Sequence, residues 1–93
     1  MIGQDGAMVV ALQALGWLVT QDELLPVFLA ATGASPGDLR QQAGEPAFLG
    51  AVLDFILQDD AAVMGFCTAA GLAYTVPLEA RRALPGGGAV HWT

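Results

Sequence analysis

Apolar positions recur every three or four residues along most of this chain, and Gly, Pro and Asp interrupt them at short intervals. One face of a helix repeats every 3.6 residues, so this pattern predicts a series of helices. The strongest stretch is Pro46–Asp60, PAFLGAVLDFILQDD. Phe48, Leu49, Val52, Leu53, Phe55, Ile56 and Leu57 leave only a narrow small or polar stripe of Ala47, Ala51, Asp54 and Gln58. A helix apolar nearly all round is covered on most sides by its neighbours. The rest of the chain is expected to supply that cover.

The other elements follow from their punctuation. Asp5 is a cap for a first helix from about Gly6 to Thr20. Met8, Leu12, Leu15 and Val19 form its expected inner face, widened by Ala11, Trp17 and Leu18, with Gln13, Gly16 and Thr20 opposite. Asp22 is the cap of a second helix with Glu23 in its first turn, whose buried set is Leu24, Leu25, Phe28 and Leu29 and whose end is Gly33. Ser35-Pro36 opens a short third helix, with Asp38 placed for a reciprocal cap. Leu39 is its one large apolar residue, which makes it a surface helix or a connecting turn. Asp59 and Asp60 close the central helix and cap a fifth, which runs to Ala70 with Val63, Met64, Phe66 and Cys67 inward. Thr75 caps a last helix carrying Val76, Leu78 and Leu84, which ends at Pro85. No strand alternation is evident. Residues 1–84 are expected to form one helical domain, and the Gly-rich tail, residues 85–93, is expected to be flexible.

Sliding the chain by 38 residues brings Leu15–Val19 onto Leu53–Leu57. Asp22 then falls on Asp60, Phe28 on Phe66, Gly33 on Gly71 and Gly16 on Asp54. After a three-residue insertion Pro36 falls on Pro77, Asp38 on Glu79 and Arg40 on Arg81. One reading is a duplicated unit of long, second and short helix. The other is that any cap-helix-glycine unit converges on such residues. Two units are too few for a solenoid. The expected fold is all-α, a compact bundle of five to six helices about two long apolar ones.

One further string carries a resemblance. FLAATGASPGDLRQQAGEPAFLGAVLDFILQDDAAVMGFC, with Gly71-Leu72 after it, is similar to a family of small alphaproteobacterial proteins known as domain of unknown function 3572. The matching elements are Phe28-Leu29 before Thr32-Gly33, the Leu39-Arg40 pair, Pro46 with Phe48-Leu49, Val52–Phe55 followed by Asp59 or Asp60, and Phe66-Cys67. The resemblance covers roughly residues 7–84. It implies a small helical bacterial protein and brings no catalytic residue with it.

Composition narrows the function. Hydrophobic residues make up 55% of the chain and charged ones 13%, which is apolar for a small domain and raises the expectation of a surface that a partner covers. Nine acidic residues face three arginines, for a net charge of −6. Nucleic-acid binding relies on Lys and Arg at phosphates, so nucleic acid is not an expected partner, nor is an anionic membrane. The N-terminal run lacks a basic start and is interrupted by Gln13, so it is expected to be an amphipathic helix and neither signal nor anchor. One cysteine excludes a disulfide scaffold and suits a cytoplasmic location.

No reactive constellation is apparent. Cys67 and His91 are the only thiol and imidazole, and His91 lies beyond three glycines. Cys67 has no basic neighbour and reads as a small buried filler. Asp22-Glu23 and Asp59-Asp60 are explained by capping better than by metal binding, since no calcium-loop spacing is present. No cofactor is expected.

Asp54 stands on the most apolar helix, either facing water or paired. Arg40 is its expected mate, as the only basic residue among the first 80. Arg81 and Arg82 suit a helix C-terminus or an acidic partner. With Trp17 they form the expected interaction surface.

The reading reached from the residues is a non-enzymatic protein-interaction domain that binds a protein partner or forms a homodimer. The alternative is a carrier or sensor of a small apolar ligand held among Met8, Trp17, Phe28, Phe48, Phe55, Met64 and Phe66.

Overall fold

The computed structural model describes residues 2–85, so His91 and all of the 85–93 tail except Pro85 lie outside the described residues. Among those residues the chain is all helical. It forms α1 (Gln4–Leu18), α2 (Leu24–Thr32), a 3-10 turn (Pro36–Asp38) leading into α3 (Leu39–Gln42), α4 (Pro46–Leu57), α5 (Asp60–Ala70) and α6 (Val76–Ala83).

Local chemistry accounts for most of the boundaries. Ser35 and Asp38 make the expected cap: the Ser35 backbone N–H and Oγ–H both donate to Asp38 Oδ2, at 3.2 and 2.9 Å. Asp59 accepts from the Ala61 backbone N–H at 3.0 Å and so opens α5, which ends α4 at Leu57. Gly33 and Gly71 close α2 and α5 in the left-handed region, φ 76° and 72°, where a side chain would be strained. Two caps differ from expectation. α1 starts from Gly3, leaving Asp5 inside the first turn, where its charge faces the positive end of the helix. α2 starts from Glu23 with no side-chain cap, because backbone turns from Gln21 already bring the chain into it.

The two longest helices, α1 and α4, pack together, and α1 also lies along α6. The order of long, medium and short element recurs in the two halves of the chain. α4 buries Phe48, Leu49, Val52, Leu53 and Ile56 and turns Ala47 and Gln58 outward, close to expectation. Phe28 of α2 meets Phe48 and Phe55 edge-on, with ring centroids 5.7 and 5.3 Å apart. Those rings fill the interior against one another.

α1 departs from its expected orientation. Its inner face is Ala7, Val10, Ala11, Ala14, Leu15 and Leu18, while Leu12 and Val19 are 44% and 42% exposed. The alanines decide this. Interhelical distance is set by the side chains at the contact. Turning Ala7, Ala11 and Ala14 inward lets α1 approach α4 and α6 at once, which a face built on Leu12 and Val19 would prevent. The same shift appears in two other helices. Met64 and Leu78 are exposed, and Ala62, Pro77 and Ala80 are buried in their place.

This tight face yields a stability prediction. Ala14→Leu overfills the contact and is expected to cost about 1–3 kcal/mol in urea denaturation. Gln13→Leu, on the exposed side of the same turn, is expected to change stability by no more than about 0.5 kcal/mol.

Candidate functional site

Among the described residues one side-chain ion pair is formed, and it lies where α6 crosses α4. α6 is strongly one-sided: Pro77, Ala80 and Arg81 are buried, and Leu78, Glu79 and Arg82 are exposed. Arg81 is only 7% exposed. Its Nε–H donates to Asp54 Oδ1 at 2.6 Å, and Nη1 reaches the Pro85 carbonyl at 3.4 Å. Asp54 keeps about half of its side chain in water. Gly50, one turn before Asp54, makes room for the guanidinium. A Cβ there would come within 2.7 Å of Arg81 Nη1.

Asp54 is therefore paired, but with Arg81 in place of the expected Arg40. Arg40 is exposed and lies beside Leu12, Gly16 and Val19 in a shallow groove between α1 and α3. The 38-residue correspondence sets the two arginines in comparison. It equates Asp54 with Gly16 and, after the three-residue insertion, Arg81 with Arg40, and each arginine lies against the long helix of its own half. The first half offers a glycine where the second offers a carboxylate.

The expected interaction surface of Trp17, Arg81 and Arg82 does not assemble. Arg81 is buried in the ion pair. Trp17 is half-buried over Gly65, against Phe66 at a ring distance of 6.1 Å. Arg82 alone of the three is exposed. Cys67 is fully buried, and its Sγ–H points at the Ala73 carbonyl at 3.5 Å. Burial pushes its thiol pKa up, which keeps it protonated and a poor nucleophile. Among the described residues no three His, Cys, Asp or Glu side chains cluster as metal ligands.

A different surface stands out. Between α5 and α6 runs an open groove of about 570 Å³. Leu57, Val63, Met64, Tyr74 and Leu78 supply its apolar lining, and Asp60, Glu79 and Arg82 its charges. Met64, Tyr74 and Leu78 are 50%, 55% and 43% exposed. Sequence periodicity had turned Met64 and Leu78 inward. They point out because Phe66 and Cys67 in α5, and Ala80 with Arg81 in α6, occupy the buried positions.

Residues 4–87 match the family model described as "Protein of unknown function (DUF3572)", and the chain belongs to that family. No curated protein and no solved structure matches it.

Two predictions follow from the Arg81 contact. Asp54→Asn is expected to lower stability by about 1–3 kcal/mol, since it leaves a buried guanidinium short of its carboxylate while Asp54 itself is partly solvated. Arg40→Gln is expected to change it by less than about 0.5 kcal/mol. Chemical denaturation at neutral pH compares the two. Glycine substitutions separate in sign. Gly16→Ala, with nothing within 4 Å of the new methyl, gains about 0.5–1 kcal/mol of helix propensity. Gly50→Ala gains the same propensity but displaces Arg81 and is expected to lower the melting temperature.

Proposed function

We propose that this member of the domain of unknown function 3572 family is a bacterial, cytoplasmic, non-enzymatic protein-interaction domain. Its docking site is the α5–α6 groove, and the occupant is an apolar segment of a partner protein that carries a basic side chain. The observation that carries this reading is the exposure of Met64, Tyr74 and Leu78 around one continuous groove. Contiguous apolar surface of that kind marks interaction sites in soluble proteins.

The charges favour a basic partner. Asp60 and Glu79 outnumber Arg82 in the groove, and the whole chain carries −6. That field attracts cationic segments and works against nucleic acid. No helix among the described residues is long and apolar enough to cross a membrane. The buried free thiol fits a reducing compartment. A small apolar ligand is the competing occupant. Sites for such ligands enclose most of the ligand surface, whereas this groove is open along one side.

Affinity capture with the immobilised full chain from a bacterial host extract tests the reading. A protein retained by the wild type is expected to be lost about tenfold or more with Leu78→Glu, a change at an exposed position that leaves the circular-dichroism melt unaltered. Equal retention by both forms contradicts it. So does native mass spectrometry that finds a small apolar molecule in the wild type and not in the variant.

A further inference from the structure

The groove between α5 and α6 has a second occupant available within the same chain. Its α6 wall is Thr75, Leu78, Glu79 and Arg82, and Pro85 follows shortly after Arg82. The chain is held at that point. The Pro85 carbonyl accepts from Arg81 Nη1 at 3.4 Å, and Leu84 before it is buried. Beyond the described residues the sequence continues Gly86-Gly87-Gly88-Ala89-Val90-His91-Trp92-Thr93.

We propose that the chain's own segment Ala89–Trp92 docks in the α5–α6 groove and competes there with partners, an inference that rests on the groove being a docking site. Length permits it. The groove wall from Thr75 to Arg82 is about 10 Å of helix. The stretch from Gly86 to Trp92 spans up to roughly 23 Å when extended. Its three consecutive glycines place no side chain in the way of the reversal that returns the segment along α6.

The segment also has the chemistry that the groove selects. Alternate residues of an extended chain share a face, so Val90 and Trp92 enter together. Leu57, Val63, Met64, Tyr74 and Leu78 meet them with apolar surface. Tryptophan is among the residue types that most often anchor an interface. No acidic residue follows Glu79, so the segment brings no like charge to Asp60 and Glu79, and His91 is the one basic group after Arg82. The segment thus carries the apolar and basic character of the partner proposed for this groove. A short tether gives an effective concentration on the order of mM, so a contact that is weak between separate molecules is populated within one.

Nuclear Overhauser measurements on the full chain in dilute solution test the proposal with no partner present. The wild type is expected to show cross-peaks from the Trp92 indole to the Met64 and Leu78 methyls. Trp92→Ala removes them, and Leu78→Glu is expected to lose those to Met64, while circular-dichroism melts confirm that both variants are folded. In affinity capture Trp92→Ala is expected to retain about threefold more of a groove-binding protein, the gain when the docked segment occupies about two thirds of the molecules. Absent cross-peaks overturn the proposal, as do cross-peaks found only between differently labelled copies. So does a protein whose capture is lost with Leu78→Glu yet unchanged by Trp92→Ala. Capture indifferent to Leu78→Glu contradicts the partner reading alone, since the cross-peaks are measured without a partner.

Discussion

The close approach of α1 to α4 and α6 through Ala7, Ala11 and Ala14 is the constraint on which the rest of the structure depends. These alanines are fully buried, and α1 is the helix that packs against both others. Small side chains bring helix axes together, and dense packing then supplies the dispersion contacts that a 93-residue chain has few other ways to obtain. The consequence is on the outside. Once the alanines face inward, helical geometry forces Val9, Leu12 and Val19 into solvent. Apolar surface is thus exposed because the core is built from small residues.

The second half of the chain resolves the same geometry differently. Where α1 carries Leu12 and Gly16, α4 carries Gly50 and Asp54, and the short helix brings Arg81 into the space that Gly50 leaves. A buried guanidinium is tolerated there because a carboxylate half in water meets it and α4 has no side chain in its way. In the first half Arg40 finds no such arrangement and stays at the surface. The two halves therefore present one closed polar contact and one open apolar stripe.

Much of this architecture was legible in the sequence, and the rest was obscured for identifiable reasons. Short-range chemistry was readable: the Ser35-Asp38 cap, Gly33 and Gly71 as helix ends, Asp59 at the start of α5, and the apolar face of α4 all depend on residues within a few positions of one another. Helix rotation was not. Periodicity weighs large apolar residues above alanine, so it turned Leu12, Val19, Met64 and Leu78 inward. Burial was decided instead by which residue allowed a neighbouring helix to come close. The Asp54 partner was missed for a related reason. Arg40 stood out as the only basic residue among the first 80, while Arg81 and Arg82 suited a helix C-terminus. Trp17, expected both on the inner face of α1 and at a surface, is half-buried because Gly65, remote in sequence, provides the flat backbone it covers. The groove between α5 and α6 had no local signature at all, being made by residues left over from two buried faces.

The orientation of α1 is the claim from which the exposed surfaces follow, and methyl NMR with a soluble paramagnetic probe measures it directly. The account predicts that the Ala7, Ala11 and Ala14 methyls are shielded from the probe at every protein concentration. It predicts that the Val9, Leu12 and Val19 methyls relax strongly in dilute samples. Shielded Leu12 and Val19 methyls in a dilute sample, together with exposed Ala11 and Ala14 methyls, would contradict it.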